Sequence, residues 1–87
     1  MYYVYLLKKN RVSDRNLYIG STADLKKRVE EHNRASKGYT SGNKWKLIYY
    51  EAYLSKEDAL KRERSIKNSG KSRMMLKARV KRSLNVP

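Results

Sequence analysis

Cysteine is absent from this sequence of 87 residues. No disulfide can staple the chain, and no thiolate is available as nucleophile or metal ligand. Histidine occurs once, at His32, which excludes a zinc centre built from Cys and His. Phenylalanine is missing, and the single proline is Pro87. Long apolar runs are lacking too: the longest, Tyr2 to Leu7, stops at Lys8-Lys9. It is far too short for a membrane-spanning helix or a signal-peptide core. Acidic residues are scarce, with 8 Asp plus Glu against 22 Lys plus Arg and a formal net charge of +14. These shortages point to one small domain over residues 1–87, cytoplasmic and away from membranes. No sizeable exposed apolar stripe is evident, so a monomer is expected. A chain this short buries only about 60% of the surface it exposes when unfolded.

What is abundant is positive charge, and its first-choice partner is a polyanion, because neutralising phosphates releases condensed counterions. The charge is unevenly spread. From Ala59 to Pro87 there are ten Lys or Arg and a single acid, Glu63. Aromatic usage is also lopsided, with eight Tyr and one Trp. Tyrosine is a good strand former, but its hydroxyl wants a partner and its ring can stack on a base. Composition leaves both readings open.

Tyr2 to Leu7 reads as a strand covered on both faces. Lys8 to Asn16 is polar and turn-like, and Leu17-Tyr18-Ile19-Gly20 follows as a second strand, making an antiparallel hairpin. Ser21 or Thr22 can cap the next segment, with Asp24 adding negative charge in its first turn. A helix from 23 to about 34 places Leu25 and Val29 on its buried face. Ala35 to Lys44 is a loop, and Trp45 to Leu54 a third strand. Ser55 and Asp58 resemble a capping box before a helix from Lys56 to about Asn68. Ser69-Gly70 breaks it, and a last helix from Ser72 to Arg82 puts Leu76 and Val80 on its apolar side. The order β-β-α-β-α-α describes a small α+β domain, a three-stranded antiparallel sheet flanked by helices.

Two helices carry polar residues where apolar ones belong. At about 100° per residue, with Ala59 as origin, Ile66 lies about 20° to one side and Glu63 about 40° to the other. Glu63 therefore sits inside the apolar stripe, where an unpartnered carboxylate costs several kcal/mol. It should have a nearby Lys or Arg, a divalent metal or a water channel beside it; the metal is the sharper reading, since one carboxylate plus substrate phosphate is a common way to hold Mg²⁺. On the first helix, Arg28 and His32 are one turn apart and border the stripe of Leu25 and Val29. A cation, an acid/base group and a half-buried carboxylate are parts that phosphodiester hydrolysis requires. Tyr5 and Tyr18 sit on the two hairpin strands. Gly20 ends the second, where a missing side chain allows a close approach by backbone or phosphate.

These residues resemble the GIY-YIG nuclease superfamily. Tyr3-Val4-Tyr5 is similar to the first half of its motif and Tyr18-Ile19-Gly20 to the second, followed by Leu25, Arg28 and His32 on the helix. Gly38-Tyr39-Thr40, Leu47 to Tyr50, Glu51 and the run Ala59, Glu63, Ile66, Lys67 are similar to its short, single-domain bacterial members. These are related to the N-terminal domain of the nuclease component of excinuclease ABC. Two positions depart from the pattern: Tyr3 replaces the leading glycine, and Ser21 stands where the excinuclease branch has lysine. No asparagine matches the one that some members carry on a later helix.

The resemblance implies an endonuclease that hydrolyses phosphodiester bonds of DNA with one divalent metal, Mg²⁺ or Mn²⁺. Its specificity would be weak or structural, and DNA repair a fitting context. It makes Glu63 the metal ligand and Arg28 the phosphate-stabilising cation. Tyr5 becomes the candidate general base, with Tyr18 sharing the task or ordering the water, and His32 relaying the proton. Gly20, Ser21, Tyr39 and Lys67 fall on the substrate side. The alternative is a nucleic-acid-binding module of the same fold with weak catalysis.

Overall fold

Residues 1–9, 17–35 and 45–86 are described by the computed structural model. Its elements are strands β1 (Tyr2–Lys9) and β2 (Leu17–Thr22), helix α1 (Leu25–Ala35), strand β3 (Trp45–Tyr53), and helices α2 (Lys56–Asn68), α3 (Gly70–Arg79) and α4 (Lys81–Leu84). The three strands form one antiparallel sheet in the order β2-β1-β3. This is the expected α+β architecture, with one more helix than the sequence pattern suggests. Lys8 and Lys9 extend β1 beyond the apolar run, because both pair with β3. The rest of the expected turn, 10–16, and the expected loop, 36–44, lie outside the described residues.

β1 is central, and this is why its run is apolar without alternation: Val4, Tyr5, Leu6 and Leu7 are all buried. Successive side chains point to opposite faces, so both faces must be covered. Val4 and Leu6 join Ala59, Ile66, Leu76, Val80 and Leu84 in the main core, under α2, α3 and α4. Tyr5 and Leu7 face the other way, toward α1. Between Leu6 and Leu7 the register on β3 slips from Tyr49 to Leu47. The extra residue, Ile48, makes a bulge of the kind that bends a strand and re-aims its side chains. Ile48 and Tyr49 consequently both pack on the main core.

Helix starts follow hydroxyl and carboxylate caps. Ser55 caps α2 as expected, its hydroxyl accepting from the Asp58 amide at 3.3 Å. α1 starts at Leu25 with Asp24 as its cap, accepting from the Lys27 amide at 3.1 Å. Ser21 and Thr22 are not the caps, because both are paired with β1. The Thr22 hydroxyl instead accepts from the Asp24 amide at 3.1 Å. Ser69 separates α2 from α3 and also caps α3, accepting from the Ser72 amide at 3.1 Å. Gly70 is therefore the first residue of α3, not part of a break before Ser72. The expected last helix is divided at Val80, whose backbone (φ −104°, ψ 19°) leaves helical geometry. Val80 and Leu84 are both buried, and Lys8 donates to the Leu84 carbonyl at 2.5 Å.

Candidate active site

Gly20 and Tyr5 are cross-strand partners, and the site is built around them. A Cβ on Gly20 would lie 2.5 Å from the Tyr5 hydroxyl oxygen and 2.7 Å from the ring carbon that bears it. The close approach that Gly20 permits is thus that of a tyrosine side chain, which fills the space above it. The Tyr5 ring is stacked beside Tyr18 at 6.2 Å between centroids. Leu25 to Ala35 carries Arg28 and His32 over this pair because the two are one turn apart on the same helical face. His32 Nε2 lies 3.1 Å from the Tyr5 hydroxyl, and Arg28 donates to the same oxygen through Nε at 3.3 Å.

Electrostatics divide the labour among these groups. Burial raises the Tyr5 phenol above its ordinary value, outweighing the stabilising Arg28 bond. Burial also lowers the His32 imidazole, and the Arg28 cation adds to that fall. Tyr5 is therefore a neutral phenol and His32 a neutral imidazole near pH 7. Arg28 itself is held firmly as a cation, chiefly by its bond to Tyr5 and then by Glu31 at 3.3 Å.

Glu63 belongs to the opposite face of the sheet and meets this group around β2, the edge strand. Its side chain is only 17% exposed, as its place in the apolar stripe of α2 requires. The Ser21 hydroxyl donates to Oε1 at 2.8 Å, and the Lys67 ammonium pairs with Oε2 at 2.9 Å. Burial works against the charge, but the Lys67 and Ser21 bonds outweigh it and leave the carboxyl below the usual range. Lys67 also stands 5.9 Å from the centroid of the Tyr18 ring, so one side chain links the carboxylate to the tyrosine pair. Arg73 donates to the carbonyls of Ile66 and Lys67 at the end of α2, which steadies that link. Ser21, Thr22, Lys27 and Arg28 border an open hollow of about 310 Å³ beside the site.

Tyr5, Tyr18, Gly20, Ser21, Arg28, His32, Glu63 and Lys67 are thus brought together; Tyr39 lies outside the described residues. Two neighbours carry no role in the sequence reading. Trp45 stands against both Tyr18 and His32, with centroids 6.1 and 6.2 Å away. Its amide donates to Asn33 Oδ1 at 2.7 Å, tying β3 to α1. Glu51 accepts from the Tyr49 and Tyr53 hydroxyls at 2.7 and 2.5 Å and from Arg62 at 2.9 and 3.1 Å. Burial opposes its charge, yet those four bonds hold its carboxyl down at about 2. The period-two spacing of Tyr49, Glu51 and Tyr53 is the signal that placed all three on one face.

The family described as the GIY-YIG catalytic domain matches residues 1–77. The chain belongs to that family. It is also similar to the UPF0213 proteins of Staphylococcus aureus strains Mu3 and Mu50. Each is 43% identical over 68 residues, which cover 76% of this chain and 79% of the relative. No solved structure gives a significant match. The GIY-YIG domain is a nuclease-type fold, and no helix among the described residues is long and apolar enough to cross a membrane.

The metal that GIY-YIG nucleases generally use can be tested against the residues present. Among the described residues no three His, Cys, Asp or Glu are grouped to cage an ion. Glu63 is nevertheless an ionised carboxylate, and its partner Ser21 borders the open hollow. That donor set suits Mg²⁺ or Mn²⁺, held by one carboxylate with water and substrate phosphate completing the shell.

Proposed function

We propose that this GIY-YIG domain is a metal-dependent endonuclease that hydrolyses phosphodiester bonds of DNA, with weak sequence preference or selectivity for structure, and serves in DNA repair. The observation that supports this most is the Tyr5 hydroxyl, poised between a fixed cation and a neutral imidazole. The net charge of +14 supplies the attraction for the polyanion.

In this reading Arg28 occupies one lone pair of the Tyr5 oxygen, and the hydroxyl proton goes to His32 Nε2. A water beside the phosphate gives its proton to the Tyr5 oxygen as the Tyr5 proton passes to His32. The resulting hydroxide adds to phosphorus, the bond to the leaving oxygen breaks with its electron pair staying on that oxygen, and the alkoxide takes a proton from solvent. His32 ends as imidazolium and returns its proton to solvent. Because burial raises the phenol, the transfer to His32 is what makes Tyr5 competent; a free phenolate is not required. Tyr18, against both the Tyr5 and His32 rings, orders the water. Arg28 faces the charge that grows on the phosphate, and Lys67 offers a second cation there. Glu63 would hold the divalent ion, which supplies further positive charge against the phosphate and the leaving oxygen.

A second reading, a nucleic-acid-binding module with weak catalysis, is favoured by one observation: both Glu63 oxygens already have partners, Ser21 and Lys67. Nicking of supercoiled plasmid with Mg²⁺, Mn²⁺ or EDTA decides between them, comparing wild type with Glu63→Ala. The nuclease reading expects metal-dependent nicks that the variant does not make, with DNA binding kept. DNA binding without nicks by either protein selects the binding module.

A further inference from the structure

Ser21, Val4 and Glu51 form one row across the sheet: Val4 pairs with Ser21 on β2 and with Glu51 on β3. Directly opposed residues project from the same face, and Val4 lies in the core beneath α2 with Ala59 and Ile66. α2 therefore crosses this row, and it is bonded at both ends of it by consecutive residues. Arg62 reaches Glu51 with two N–H donors at 2.9 and 3.1 Å. Glu63 takes the Ser21 hydroxyl at 2.8 Å.

The helical geometry explains what two such bonds do. With Ala59 as origin, Arg62 lies about 60° to one side of the buried stripe and Glu63 about 40° to the other. Rotating α2 either way stretches one of the two bonds. The stripe alone offers weaker resistance, because within α2 only Ala59 and Ile66 are buried and apolar contact is non-directional. Glu51 is itself immobilised: Tyr49 and Tyr53, two residues to either side, donate to its two oxygens while Arg62 bridges them. The carboxylate of the half-buried Glu51 thus takes four hydrogen bonds, on a group that lies outside the reacting cluster.

We propose that Glu51 and Arg62 are a positioning pair that sets the rotation of α2 and so holds Glu63 against Ser21, with Tyr49 and Tyr53 fixing Glu51 for that task. The geometric half stands on the row itself; the catalytic half rests on the nuclease reading above. Misplacing a catalytic group by about an ångström is enough to slow a reaction by orders of magnitude.

The test uses Arg62→Met, which keeps length and removes the paired donors, against Leu84→Ala, a core truncation remote from the row. Both are compared at temperatures equally far below their own Tm. Two quantities are read: nuclear Overhauser effects between the Ser21 and Glu63 side chains, and kcat and KM for plasmid nicking. The expected result is that Arg62→Met abolishes the Overhauser effects and about tenfold or more of kcat with KM held, while Leu84→Ala keeps both. Overhauser effects that persist in Arg62→Met, or that vanish with kcat unchanged, overturn the proposal. Should Arg62→Met not fold, Tyr53→Phe loosens Glu51 more gently, and the same two readouts apply. A wild type that never nicks sinks the nuclease reading instead, and the Ser21–Glu63 proximity still decides the role of the pair.

Discussion

The Tyr5 hydroxyl occupies the place where any side chain on Gly20 would begin, 2.5 Å from that Cβ position. Tyr5 is 1% exposed and its ring is rigid, so it cannot swing aside. Gly20→Ala should push the ring off its contacts with Arg28 and His32. We expect about 1–3 kcal/mol of lost stability, as for other overpacked sites, and a larger loss of nicking than of DNA binding. Thermal unfolding and gel shifts, run beside nicking rates, check this. Unchanged nicking would show that the hydroxyl's position is immaterial.

His32 must be neutral to receive a proton, and both burial and Arg28 lower its pKa. The acid limb of the rate profile should therefore have its midpoint below the ordinary value of about 6.5. Stability should fall on acidification through the same window, because there the unfolded chain binds a proton that the folded chain refuses. The chain has one histidine, so its imidazole resonances report the midpoint directly. An NMR midpoint above 6.5 would contradict the neutral-relay mechanism.

Arg28 is one cation among 22 Lys plus Arg, yet among the described residues it is the one that donates to Tyr5 from a fixed charge. Arg28→Ala should slow nicking by about 10²–10³-fold, the scale of losing one preorganised charge stabiliser. DNA affinity, carried by many other cations, should change by less than about threefold. Equal losses in both would reduce Arg28 to an anchor.

Lys67 competes with any cation for Glu63 Oε2, which it pairs with at 2.9 Å. Lys67→Met should tighten Mn²⁺ binding by the DNA-free protein, measured by calorimetry, by roughly the several-fold that one partly exposed ion pair is worth. A weaker Mn²⁺ affinity would mean that Lys67 supports the site and does not compete for it.

Glu51 has its carboxyl lowered to about 2 from an ordinary 4.5. The sign follows from linkage: its contribution is fully present above about 4.5 and disappears as pH falls through about 2. Glu51→Gln should cost about 1.5–3 kcal/mol at neutral pH, as for hydrogen bonds to a charged group. The gap between wild type and variant should close between those two pH values. A gap independent of pH would show that the charge of Glu51 contributes nothing.

Much of this was legible along the chain. The unbroken apolar run of β1 announced a strand buried on both faces, and Ser55 announced the start of α2. The helical period placed Glu63 among apolar neighbours and Arg28 with His32, so two halves of the site were visible as local anomalies. Their meeting was implied by the family resemblance but not by the helical period, because β2 must lie at the sheet edge before Lys67 can reach both Glu63 and Tyr18. The division at Val80 was hidden because the 3.6-residue period runs through it: Leu76, Val80 and Leu84 keep one-turn spacing and all three are buried.

By itself the amino-acid order determined what depends on neighbours a few residues apart. That covers the element types, most of their starts, the faces they bury, and the excess of positive charge that points to a polyanion. Tertiary structure decided what depends on residues far apart in the chain. Gly20 makes room for a tyrosine hydroxyl, Ser21 bonds Glu63 instead of capping a helix, and Glu51 reaches across to Arg62. Hydrogen bonds act only over about 3 Å and within a narrow range of angles. Such partners are set by strand register and helix rotation, which no local pattern encodes.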